Sequence, residues 1–199
     1  MFRILSIIVS DIIRSKFFLV YTVLLFVLSW SVFNLEDNSS KGLLSLLNLI
    51  LLTIPLVSIM FATSYLYNSA EFVELLLGQP IQRRVIWTGL FAGLSLCLSL
   101  AFLIGAGIPI LLYAFSTVGM LMILIGLLIT VIFIALAMLS SILTRDKAKG
   151  IGLAIMLWLF FSLLFDGIVL FLLFQFSEYP IEKMMVGISA LNPIDLSRI

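Results

Sequence analysis

Asp166 is the one ionisable side chain well inside a long apolar run, about fifteen residues past its start at Ile151. A lone carboxylate at that depth in hydrocarbon costs about 3 kcal/mol. It is therefore expected to be protonated, paired or facing a polar cavity, either as a structural group at a helix interface or as a pathway or gating residue. A second set of residues lies in the hydrophilic connection 68–84, NSAEFVELLLGQPIQRR, which gathers Glu71, Glu74, Arg83 and Arg84. Glu71, Phe72, Glu74, Leu75, Leu76 and Leu77 make about two helical turns, and Gly78 followed by Gln79-Pro80 is a stop signal. Such a helix, with acidic and apolar faces and stiff joints on both sides, could dock into a soluble partner and transmit its movement; the plainer reading is a solvated interfacial loop. A third set is Asn192, Pro193, Asp195 and Arg198. Asn-Pro ahead of an Asp is a turn capping a short helix, and Arg198 follows Asp195 at ion-pair spacing, so the reading is structural unless an extracytoplasmic partner uses this surface.

The remaining inventory excludes most catalysis. The chain has no histidine and one cysteine, Cys97. A Ser-His-Asp triad, a histidine zinc helix and a Cys/His metal cage are impossible within it, and no internal disulfide can form. No pair of acids sits within an apolar run, so the chain is not expected to be an enzyme or to bind a cofactor or metal. The methionines read as packing material, since no histidine or second cysteine joins their thioethers. A net charge of +1 with scattered basic residues argues against a nucleic-acid surface.

The elements that must carry these residues follow from composition. Of 199 residues 63% are hydrophobic and 11% charged, with mean hydropathy +1.32. This surplus needs lipid as solvent, and at about 20 residues per crossing it allows five or six spans. Residues 1–16 form an amphipathic stretch suited to a helix in the membrane interface, and its charges Arg3, Asp11, Arg14 and Lys16 are unlike a cleaved signal. Uncharged runs at about 17–33, 43–67, 85–113, 118–143 and 151–176 predict five spans, and 177–199 is amphipathic with none. The expectation is an all-α polytopic membrane bundle. With a cytoplasmic amino terminus, Arg3, Arg14, Lys16, Arg83, Arg84, Arg145, Lys147 and Lys149 lie inside and only Lys41, Lys183 and Arg198 outside, as the positive-inside rule requires. In the third span Gly89, Gly93, Cys97, Ala101 and Gly105 recur every fourth residue. That ridge of small side chains admits a close helix neighbour, within the subunit or across a seam between subunits.

The amphipathic start, followed by E-x-x-E-L-L-L-x-Q-P-I-x-R-R between the second and third spans, resembles the permease subunits of ABC-2 type transporters. The resemblance implies an elbow helix at 1–16 and a coupling helix in 68–84 that contacts a separate cytoplasmic ATPase, with ATP and Mg bound in that partner. It also implies a homodimer of permeases in the bacterial inner membrane. The ending Leu191-Asn192-Pro193-Ile194-Asp195-Leu196-Ser197-Arg198 is similar to the extracytoplasmic L-N-P-x-D-x-x-R segment of the subgroup that supports nitrous oxide reductase maturation. For that subgroup the cargo is a sulfur- or copper-related species, or the work is done on a periplasmic partner. An exporter of lipid, drug or polysaccharide is the alternative within the family, and a non-transporting scaffold the alternative outside it. The family has six spans, and the chain stops where the sixth would begin, so that helix is expected to be truncated or supplied otherwise.

Overall fold

A computed structural model describes residues 2–36, 39–78, 81–175 and 187–198. All regular structure among them is helical: α1 Phe2–Arg14, α2 Lys16–Leu35, α3 Ser39–Asn68 and α4 Ala70–Leu77, then α5 Arg83–Tyr113, α6 Thr117–Leu143 and α7 Lys147–Gln175, and the short α8 Pro193–Leu196. Five of these, α2, α3, α5, α6 and α7, are long and apolar enough to cross a membrane. The protein is an all-α, multi-pass membrane bundle.

Local chemistry sets the joints. Ser15 adopts an extended conformation between α1 and α2; its hydroxyl donates to the Ile12 carbonyl at 2.6 Å and accepts from the Phe18 N–H at 3.3 Å, closing one helix while capping the next. Ser116 caps α6 by accepting from the Gly119 N–H, and Asp146 caps α7 by accepting from the Ala148 N–H at 2.8 Å. Gly78 ends α4 in the ordinary right-handed region, not in the left-handed conformation common after a helix.

Helix α5 is the hub. More than half of its most apolar stretch, 56%, is buried, against 6% for α7. The small-residue ridge explains how: α1 and α2 both lie on it. Ile4 faces Gly89, and Ile8 packs so closely on Gly93 that a Cβ there would stand 2.6 Å from its Cγ2. The Cys97 thiol faces the Val9 carbonyl at 3.8 Å, and Leu25 and Thr22 of α2 close over Gly105. The ridge therefore serves packing inside the subunit, and the apolar stripe of α1 (Ile4, Ile8, Ile12) is spent on α5. Asp11, on the other side of α1, accepts from the Tyr65 hydroxyl of α3 at 3.1 Å.

Helices α3 and α6 pack along most of their length, with Thr63 and Ser140 in contact between them at 3.4 Å. Phe102 of α5 is buried against Gly126 of α6. Two π turns interrupt the spans, Leu103–Gly107 in α5 and Phe160–Leu164 in α7. The first precedes Pro109, whose missing N–H and bulky ring strain a regular helix. At one end of the bundle Trp30 and Phe33 of α2 pack on Tyr113 of α5, with ring centroids 5.3 and 5.5 Å apart.

The ridge makes a direct prediction. Gly105→Ala places a Cβ 2.6 Å from Leu25 Cβ and 2.9 Å from the Thr22 carbonyl oxygen, neither of which is the far end of a flexible side chain. Thermal unfolding of the detergent-solubilised chain is expected to show a loss of about 1–3 kcal/mol. Gly152→Ala, with nothing within 4 Å, is expected to stay within about 0.5 kcal/mol of the native chain.

Candidate functional site

Helix α4 hangs between α3 and α5 at one end of the bundle, joined to α3 through Ser69 alone. None of its residues is buried. Val73 and Leu76 lean on the core, while Glu71, Glu74, Leu75 and Leu77 face outward. Behind it a cleft of about 450 Å³ is lined by Glu74 and Val73 of α4, Trp87 of α5, and Ser141, Thr144 and Arg145 at the α6 end. Arg83 and Arg84 are exposed at the start of α5 and form no ion pair with Glu71 or Glu74 among the described residues. Phe72 is half-buried; Gln79 and Pro80 lie outside the described residues.

The end of α3, one residue before α4, is clasped to the α6–α7 connection. The Tyr67 hydroxyl donates to the Thr144 carbonyl at 2.8 Å and lies 2.7 Å from the Thr144 hydroxyl. Its ring sits against Gly150 where any side chain would collide with it, and Lys147 Nζ donates to Asn68 Oδ1 at 2.7 Å. The joint that carries α4 is thus tied to the start of α7 as well as to α3 and α5.

A second cluster forms at the opposite end, where α3 and α6 begin. In the π turn of α7 the Phe165 N–H donates to the Phe160 carbonyl, five residues back, which passes over Phe161. The freed Phe161 carbonyl accepts from Asn192 Nδ2 at 2.8 Å, and Asn192 Oδ1 caps α8 by accepting from the Ile194 N–H at 3.1 Å. Pro193 occupies the first helical position, where a missing N–H costs nothing. Arg198 then reaches Asp166 Oδ2 at 2.9 Å, with Asp195 Oδ1 at 3.9 Å. Asp166 is thus paired, and Arg198 prefers it to the Asp195 that sequence spacing offered. Asn192 and Asp195 are buried, and Asp166, Asp195 and Arg198 line a cavity of about 290 Å³ with Ser189, Val169 and Leu170. Burial, then the neighbouring Asp166, push the Asp195 carboxyl up to about 6, against the opposing pull of Asn192 and Arg198.

No family model matches the chain. It is 33% identical over 172 residues to the probable ABC transporter permease protein NosY of Pseudomonas aeruginosa, an alignment covering 78% of this chain and 61% of that protein. The protein of the same name in Stutzerimonas stutzeri is 29% identical over 211 residues, covering 96% of this chain and 76% of that protein. The chain is similar to proteins named as probable ABC transporter permeases. It spans about three fifths of the length of the first relative and about three quarters of the second.

The predicted residues fall into two groups at opposite ends of the bundle. Glu71, Phe72, Glu74, Leu75, Arg83 and Arg84 surround α4, whereas Asp166, Asn192, Pro193, Asp195 and Arg198 converge on α7. Sequence reasoning missed the clasp (Tyr67, Asn68, Thr144, Lys147 and Gly150) and the Phe161 carbonyl. A tyrosine closing one span and a glycine opening another are weak signals, and a π turn leaves none in composition.

Removing the Asn192 side chain orphans the Phe161 carbonyl and uncaps α8, costing about 1–3 kcal/mol of docking. Limited proteolysis of Asn192→Ala is expected to clip 187–198 faster than in the native chain while the five-helix core survives. Asn192→Asp keeps the capping oxygen but loses the donor, and is expected to behave alike; a native clipping rate in both variants would refute the role assigned to the bond.

Proposed function

We propose that this chain is the membrane-embedded, non-catalytic subunit of an ABC transporter, and that α4 is its coupling helix. The observation that carries the reading is the build of α4: eight residues between two spans, with an outward face of Glu71, Glu74, Leu75 and Leu77 and a joint to α3 clasped to a third span. A helix with no buried residue contributes little to the fold, so its placement between stiff elements suits recognition of a partner. That partner is a cytoplasmic ATPase subunit that binds ATP and Mg. Its closure pushes α4, and the push divides between α3, α5 and, through Tyr67, α7. The charge asymmetry of the connections supports a cytoplasmic amino terminus, with α4 inside and α8 outside, in a bacterial inner membrane. Pairing of two permease copies follows the family pattern.

Similarity to NosY-type proteins favours a role in nitrous oxide reductase maturation, through sulfur or copper supply or through work on a periplasmic accessory protein. Export of a lipid, drug or polysaccharide is the alternative within the same class.

The coupling assignment is tested by reversing charge on α4. Glu71→Arg and Glu74→Arg are expected to lower retention of the co-expressed ATPase subunit by roughly tenfold or more in pull-down, without shifting thermal unfolding of the permease. Undiminished retention in both variants removes α4 from the interface.

A further inference from the structure

The segment 192–198 is held to α7 by contacts of two kinds: the fixed bond from Asn192 to the Phe161 carbonyl, and the titratable group Asp166, Asp195 and Arg198. In that group two carboxyls share one guanidinium. Arg198 occupies Asp166 Oδ2, while Asp166 Oδ1 is buried and has no hydrogen-bond partner among the described residues. Asp195 is itself buried, and stands farther from Arg198 than Asp166 does. A second buried carboxylate beside the first is unfavourable, whereas a carboxylic acid there has a donor to offer an oxygen that lacks one. The cavity lined by these three residues and Ser189 gives a proton a route in. Among the described residues, no other charge opposes or assists from the two elements that α8 packs on most: α6 carries no charged residue, and the π turn of α7 is Phe160-Phe161-Ser162-Leu163-Leu164.

We propose that segment 192–198 is a latch on the outer half of α7 that closes more tightly when Asp195 takes up one proton and donates it, in a hydrogen bond, to the free oxygen of Asp166. The proton comes from water in the cavity and becomes the new O–H of Asp195; Arg198 stays on the other oxygen of Asp166, and one positive and one negative charge remain. The raised Asp195 gives the sign. A carboxyl that binds protons more tightly docked than free stabilises docking as pH falls through about 6, and that gain is lost as pH rises through the same value.

Hydrogen exchange of the full chain in nanodiscs tests this, read at the Leu196, Ser197 and Arg198 amides, whose bonds close a one-turn helix too short to persist undocked. With intrinsic exchange rates divided out, protection is expected to rise about tenfold from pH 7.5 to pH 5. Asp195→Asn is expected to abolish the slope, and Asp166→Asn, which keeps Asp195 but removes the neighbouring negative charge and releases Arg198 to pair with Asp195, to diminish it. Should Asp195→Asn fail to dock, Asp166→Asn carries the same test. A flat native profile overturns the latch, as does a native slope surviving in Asp195→Asn or undiminished in Asp166→Asn.

Discussion

A bilayer supplies no hydrogen bonds, so every backbone group within it needs a partner made of protein. The described spans depart from a regular helix at two π turns, and the constraint is visibly met at the second. At Leu103–Gly107 the wide turn coincides with the closest approach of α2, whose Leu25 and Thr22 cover Gly105. At Phe160–Leu164 the carbonyl that the π turn skips is met by a side chain from a distant part of the sequence. The docking of the 192–198 segment is thus part of how α7 keeps its backbone satisfied. The irregular backbone around α8 is tolerated because it leans on α6 and α7.

The same logic shapes the packing. Apolar side chains gain nothing by leaving lipid for each other, so helices associate where backbones come close and contacts are dense. Helix α5 offers such a surface on the ridge from Gly89 to Gly105, and the first two helices take it. With α1 packed on α5 and tied to α3 through Asp11 and Tyr65, these helices are joined directly. Helix α7 packs on α3 and α6 over its first half, with Tyr67 on Gly150, and among the described residues is left largely uncovered beyond.

Much of this was legible in the residues. Five uncharged runs became five long helices because apolar length is a strong, local signal. The four-residue period of Gly89, Gly93, Cys97, Ala101 and Gly105 announced a close contact, although not its owner; that needed the matching Ile4 and Ile8, whose spacing is as regular but ordinary in an apolar chain. Asp166 was legible as a residue needing company. Its partner Arg198 lies 32 positions away, and the nearer Asp195 drew attention because helical spacing reports only neighbours in sequence. The clasp of Tyr67 on Thr144 spans 77 positions, beyond any periodic pattern.

The uneven burial of α7 has a mechanical meaning. The helix is a cantilever, seated over its first half on α3 and α6, with Tyr67 on Gly150, and among the described residues held along its far half only by Asn192 and Arg198. Its 29 residues make a beam of about 43 Å. A tilt of about 5° at the seat moves the free tip by roughly 4 Å on a beam of that length. Asp166 lies about 14 Å short of that tip, so the latch grips the beam partway along and limits how far the end can swing.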